Sequence, residues 1–240
     1  MFVISLLASN QSFGLKDIKI EKKEILVEHT AKSAEDILKK VELVYKNAKN
    51  FQARYQQKVK KPNPDKENLI VLQSTGKFFR LKEYSTRSKK WKYQALWDIE
   101  SPVNYQVITN FESLWLYNPV ALLVQTQSYQ SLSPASLFMN DLLMGKLNLS
   151  KNYSATLSLE HSFKIELVPK NQASSLRLIT LKVHPLSYWV EELWIGAHDD
   201  STYELLFTNA QKDMPHITDL EKVFTKSNLF NIPQGVMTTH

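Results

Sequence analysis

The chain has 240 residues, 43% of them hydrophobic, with 5 glycines and no cysteine. That is enough for one good-sized core; it excludes disulfides, thiolate metal sites and a cysteine nucleophile, and a cysteine-linked lipid anchor is not expected. The net charge of +6 favours anionic surfaces, although solvated faces of ordinary elements account for it equally; no nucleic-acid-binding motif accompanies it, and no apolar run reaches the roughly 18 residues that span a membrane.

The chain opens with Phe2-Val3-Ile4-Ser5-Leu6-Leu7-Ala8-Ser9, followed by small and polar residues up to Gly14. Residues 1–14 read as the end of a signal peptide, with a disordered or packed N-terminus as the alternative; a translation start placed too far downstream would account for the missing charged region. Residues 15–32, rich in Lys and Glu, read as an exposed extension. Residues 33–240 form a single domain.

A helix is expected after Ser33, a natural N-cap. Ala34, Ile37, Leu38, Val41, Val44, Tyr45 and Ala48 recur at the spacing of one helix face. The period then changes to two: Phe51, Ala53, Tyr55, Gln57 and Val59 alternate with polar residues, as in a half-buried strand. Lys61-Pro62-Asn63-Pro64-Asp65 is a strong turn. A long strand follows from Leu69 to Leu81, and another carries Trp91, Tyr93, Ala95 and Trp97 on one face. Val103–Thr109, Leu114–Tyr117 and Leu122–Gln127 read as three short strands. Ser133 and Pro134 then start a second helix, which Gly145 ends. Leu137, Phe138, Met139, Leu142, Leu143 and Met144 make it apolar almost all round, so it must be covered on more than one side. Further strands run over Tyr153–Leu159, Phe163–Val168, Leu176–Val183, Tyr188–Ile195 and Thr202–Thr208. A short helical segment, Asp219–Phe224, precedes Phe230–Val236. The pattern is mainly β with some α: ten or eleven antiparallel strands and two or three helices, which favours a strongly curved sheet or barrel.

No catalytic residue emerges. None of the six histidines has a second ligand at metal spacing. Asp199-Asp200 falls in a hairpin turn, Asp98 and Glu100 lie beside Pro102, and neither a nucleophile elbow nor a phosphate-binding loop is present. No enzyme activity, metal or cofactor is expected.

The informative residues are apolar. Phe51, Tyr55, Phe78, Trp91, Tyr93, Trp97, Trp115 and Tyr117, with Phe163, Tyr188 and Trp194, occupy alternating positions of their strands. Two arrangements fit. A wide curved sheet leaves a dry aromatic cavity for acyl chains, where each buried methylene contributes about 0.8 kcal/mol; a plain β core fills the same space with side chains. The second helix likewise fits either a movable lid or a buried packing helix.

Several motifs resemble the LolA family of outer-membrane lipoprotein carriers. Leu114-Trp115-Leu116-Tyr117-Asn118-Pro119 resembles that family's Leu-Trp-hydrophobic-Tyr-Asn/Asp-Pro signature. Phe51-Gln52-Ala53-Arg54-Tyr55-Gln56-Gln57 resembles its first strand. Lys90-Trp91-Lys92-Tyr93 stands where the family has Arg-Trp-x-Tyr, and Ser136-Leu137-Phe138-Met139 stands at the start of its lid helix. Phe230-Asn231-Ile232-Pro233-Gln234-Gly235-Val236 matches its ending. The resemblance covers residues 34–236. It implies an unclosed antiparallel barrel of about 11 strands with a helical lid over a hydrophobic cavity. Phe51, Tyr55, Phe78, Trp91, Tyr93, Trp97, Trp115 and Tyr117 would line that cavity, and Leu137, Phe138, Met139, Leu142 and Leu143 would form the lid.

The resemblance also implies a periplasmic monomer that takes acylated lipoproteins from an inner-membrane ATP-binding transporter to an anchored outer-membrane receptor, with no nucleic-acid partner. The alternative is a LolA-like protein with another amphiphilic cargo or an envelope-sensing role. In the family an arginine at the end of the second strand holds the lid closed. Here Lys82 stands at the matching place and Arg80 lies on the same strand face, so either is a candidate latch; lysine lacks the guanidinium fork.

Overall fold

The computed structural model describes residues 33–65, 68–85, 89–110, 112–158, 163–213 and 237–239. The chain divides into two units, Met1–Ala31 and Lys32–His240. The expected signal peptide and extension lie outside the described residues, as do the expected helical segment Asp219–Phe224 and the motif Phe230–Val236.

Helix α1, Ala34–Asn47, starts where its capping chemistry predicts: the Ser33 side chain accepts from the Asp36 backbone N–H at 3.1 Å. The buried residues Ile37, Leu38, Val41 and Tyr45 lie along one stripe. Helix α2, Pro134–Leu143, opens with Ser133 accepting from the Ser136 N–H at 3.2 Å and with proline in its first turn. Its buried residues surround most of the helix, Leu137 being half-buried. A one-turn helix α3, Leu149–Asn152, follows.

The strands are β1 (Asn50–Pro62), β2 (Leu69–Ser85), β3 (Lys90–Ser101), β4 (Tyr105–Thr109), β5 (Ser113–Asn118), β6 (Leu123–Ser128), β7 (Tyr153–Leu157), β8 (Lys164–Pro169), β9 (Leu176–Val183), β10 (Val190–Ala197), β11 (Thr202–Lys212) and β12 (Met237–Thr239). They form one sheet in the order β12-β6-β5-β4-β3-β2-β1-β11-β10-β9-β8-β7. The expected set of eleven antiparallel strands is present, and its ends do not pair with one another, so the sheet is unclosed. The three-residue β12 adds a parallel strand beside β6 that alternation did not predict.

Both described helices of more than one turn cover the same face of this sheet, called here the inner face. Phe51, Ala53 and Tyr55 of β1, Phe78 of β2, Trp97 of β3, Leu193 and Ile195 of β10, and Leu205 and Phe207 of β11 join α1 and α2 in one apolar cluster. Gly76 sits at a register shift between β2 and β3, where a Cβ would lie 2.0 Å from the Asp98 carbonyl oxygen. The bulge therefore demands a residue without a side chain.

Candidate binding site

The inner face begins as an aromatic surface that the alternation of β1, β2 and β3 assembles. Register pairs Phe51 with Arg80, Ala53 with Phe78, and Phe78 with Trp97. Phe78 and Trp97 lie 4.6 Å apart, Phe51 and Phe78 5.9 Å, and Tyr55 and Trp97 5.0 Å. Such offset and edge contacts stabilise beyond simple area burial. Two aromatics outside the strands complete the cluster. Trp189 stacks on Phe51 at 4.6 Å, and Tyr45 of α1 meets Trp189 edge-on at 4.7 Å. The Tyr45 hydroxyl accepts from the Val190 N–H at 3.2 Å, and burial pushes its ionisation upward.

Helix α2 lies over this surface. Trp97 Nε1 donates to Asn140 Oδ1 at 3.0 Å, and Asn140 Nδ2 donates to the Ser136 carbonyl at 2.9 Å. The helix is thus tied to β3 by a polar contact inside an apolar setting. Phe138 packs edge-on against Tyr153 at 5.6 Å. Just past the helix, Gly145 has φ of +66° and approaches α1 so closely that a Cβ would stand 2.6 Å from the Tyr45 carbonyl. Left-handed backbone and close approach both require glycine there.

Between the C-terminal ends of the two helices lies Arg80, fully buried. Its Nη1 donates to the Tyr45 carbonyl at 2.8 Å and to the Leu143 carbonyl at 2.9 Å, and its Nη2 donates to the Ala48 carbonyl. Cations suit helix C-termini, where carbonyls lack intrahelical partners and the macrodipole is negative. Arg80 Nε is buried with no hydrogen-bond partner among the described residues. Burial pulls the guanidinium down to about 10, so it stays charged at neutral pH. Lys82 sits further out along the same face. Its Nζ donates to the Lys46 carbonyl at 2.7 Å, and burial, with Arg80 and Lys46 nearby, holds its ammonium below the usual lysine range. Lys82 and Lys146 stand over the Tyr93 ring at 5.7 and 5.5 Å.

The family follows from sequence. Residues 46–219 match the family model described as outer membrane lipoprotein carrier protein LolA. The chain belongs to the LolA family. No curated protein matches its sequence. Among solved structures, a DUF1329 family protein from Desulfovibrio piger is 15% identical, with 76% of this chain and 92% of that one covered and a TM-score of 0.41. A LolA superfamily protein from Nitrosomonas europaea is 14% identical, with 82% and 100% covered and a TM-score of 0.37. The MucA/MucB complex of Pseudomonas aeruginosa gives 11% identity, 78% and 59% coverage and a TM-score of 0.42. The LolA-family assignment itself rests on the sequence match.

Within this LolA-family fold, the expected lining residues divide. Phe51, Tyr55, Phe78 and Trp97 are buried on the inner face, with Tyr93 half-buried beside them. Trp91 lies opposite Tyr84 in the β2–β3 pairing, and its side chain is outside what the structure describes. Trp115 and Tyr117 do not join the set. Trp115 pairs with Ile108, which pairs with Leu96, while Tyr117 pairs with Gln106 and through it with Asp98. That row alternates with Trp97, so both aromatics occupy the outer face. Leu96, Ile108 and Val124 are buried there too, which makes this half of the sheet apolar on both sides. Of the expected lid residues, Phe138, Met139, Leu142 and Leu143 are buried and Leu137 is half-buried. Of the two candidate latches, Arg80 bridges α1 and α2 through the Tyr45 and Leu143 carbonyls.

Sequence reasoning missed Trp189 as a member of the inner aromatic set. Tyr188 adopts φ of +58°, within a turn closed by His184 N–H to the Trp189 carbonyl at 2.8 Å. That turn shifts the start of β10 to Val190 and turns Trp189 inward. Trp194, counted with the alternating aromatics, lies on the outer face beside a cleft of about 770 Å3 lined also by Lys58, Gln73, Lys164, Thr180 and Lys182.

Proposed function

We propose that this chain is a periplasmic carrier that shields lipoprotein acyl chains between the inner aromatic face and helix α2 on their way to the outer membrane. The observation that carries this reading is Arg80. A buried charge carries a desolvation cost, so a guanidinium is a costly way to hold two helix ends together over an apolar surface. This fold nevertheless closes them with a guanidinium that holds three main-chain carbonyls and leaves Nε unmatched. Such a closure is reversible. Of these bonds only that to Leu143 reaches α2, and one charge-assisted bond at about 1.5–3 kcal/mol is of the same order as burial of some two to four methylenes at about 0.8 kcal/mol each. An entering acyl chain can therefore offset the opening of α2, and its departure restores the closed form. Phe51, Tyr55, Phe78, Tyr93 and Trp97 would receive the chain. Lys82, Lys46 and Lys146 would form a basic rim that steers acidic partners. The donor would be an inner-membrane ATP-binding transporter and the acceptor an anchored outer-membrane receptor, with this chain itself catalysing nothing.

A fluorescent fatty-acyl probe titrated into the purified chain tests the reading. Saturable binding is expected. Arg80→Leu should bind the probe several-fold more tightly, because the latch stabilises the empty closed state that competes with cargo. Absence of saturable probe binding by both chains, together with normal outer-membrane sorting of lipoproteins on depletion, would sink it.

A further inference from the structure

A second apolar feature lies away from the helices. Strand β3 begins to pair with β2 only at Thr75. Residues 69–74 of β2 therefore extend beyond β3 and pair with β1 alone: Pro62 with Leu69, Lys61 with Ile70, Lys60 with Val71 and Val59 with Leu72. The two strands form an arm, flanked by β11 along β1 as far as Lys60 and fastened near its end by Asn63 N–H to the Asn68 carbonyl at 3.2 Å. On this arm Leu69 is 56% exposed, Ile70 40%, Val71 49% and Leu72 55%.

The distribution of these side chains decides what they suit. Successive residues of a strand point to opposite faces. Ile70 and Leu72 share the face of Phe78, and Leu69 and Val71 share the outer face. A protein surface docked on either side would leave the other pair in water. A lipid interface accepts both faces at once. Leu69 to Leu72 spans about 10 Å of strand, on the scale of the roughly 5–10 Å to which interfacial segments enter the headgroup and acyl boundary. Charge agrees with apolarity. The hairpin Lys58–Gln73 contains four lysines and two acids, Asp65 and Glu67, both between its two strands, which leaves it net basic. Lys60 is engaged by Glu204 at 3.0 Å. Lys58 and Lys61 have no acidic partner among the described residues. Lys58, Lys164 and Lys182 line the outer-face cleft at the foot of the arm together with Glu192 and Glu204, which pair with Lys182 and Lys60.

We propose that the β1–β2 arm docks this protein on anionic phospholipid bilayers, with Leu69, Ile70, Val71 and Leu72 entering the interface and Lys58 and Lys61 meeting lipid phosphates. Long lysine stems reach from an apolar position to the headgroups. The docking is independent of the proposed acyl-chain site, since none of these residues belongs to the inner cluster.

Co-sedimentation of the full chain with phosphatidylglycerol-rich vesicles tests this, with phosphatidylcholine vesicles in parallel. Binding to the anionic vesicles is expected to exceed binding to the neutral ones. Leu69→Gln with Leu72→Gln, one change on each face, should weaken partitioning by about tenfold or more. Val71→Gln and Leu72→Gln singly should each weaken it. Lys58→Gln and Lys61→Gln should each cost about fivefold at low salt, and high salt should erase that difference. Leu186→Gln, at an exposed apolar site elsewhere, should change nothing. An unaltered thermal melt shows that the arm variants fold. Equal binding by the double variant and the parent chain overturns the proposal. So does self-association that the double variant abolishes without any vesicle binding, which would assign the arm to a second copy. Probe uptake by the Leu69→Gln, Leu72→Gln chain should stay normal, so failure here and failure of the carrier reading are separable.

Discussion

At one end of strand β2, Phe78 and Arg80 are wholly enclosed by α1, α2 and the neighbouring strands; at the other, Leu69–Leu72 stand about half exposed. Both stretches are rich in large apolar groups, and alternation along the strand does not tell them apart. What separates them is coverage. The Phe78 end has β3 on one side, β1 on the other and two helices across its face. The Leu69 end has only β1 beside it. Apolar residues in a closed setting stabilise the fold, whereas the same residues on an uncovered arm are available to something outside it.

The sharpest way to test this contrast is a pair of truncations. Phe78→Ala should lower stability by about 3–5 kcal/mol, as expected for an aromatic removed from a packed interior. Leu72→Ala should change it by no more than about 0.5 kcal/mol, as for surface sites. Chemical denaturation of both variants measures the difference, and comparable losses would show that the arm is part of the core. Next in size is Gly145→Ala. The new Cβ meets both a left-handed backbone and the Tyr45 carbonyl, so a loss of about 1–3 kcal/mol is expected. Hydrogen exchange should place the loosening at the facing ends of α1 and α2, and an effect spread evenly over the sheet would argue against a local closure. Of the two changes at α2, the smaller effect belongs to its far end. Ser133→Ala removes the N-cap and should cost about 1 kcal/mol; a thermal shift larger than that of Gly145→Ala would mean that α2 is held at its start and not at Arg80.

Much of the architecture could be read locally. The caps at Ser33 and Ser133, the proline at 134 and the glycine at 145 placed both long helices within a residue or two, because capping depends on groups a few positions apart. The aromatic set of β1, β2 and β3 was legible for the same reason, each being a clean alternation. Trp115 and Tyr117 were not. Alternation states which residues of one strand share a face, but not which face of the sheet that is, and β3–β6 carry buried residues on both sides. Trp189 was hidden by the positive φ at Tyr188, since a single left-handed residue resets the alternation that follows.

The sequence by itself determined the class of this protein: a basic, cysteine-free, mainly β chain with two well-capped helices and the ordered motifs of the LolA family. Those properties follow from composition and short-range spacing. Only the tertiary structure separates Arg80 from Lys82 in position. They are two residues apart on one strand face, and either could meet a carbonyl. The choice depends on where the ends of α1 and α2 come to rest, which is set by Gly145 against Tyr45 and by the aromatic surface beneath them. That arrangement puts Arg80 at the buried junction of both helices and leaves Lys82 at its rim, where its Nζ donates to the Lys46 carbonyl of α1.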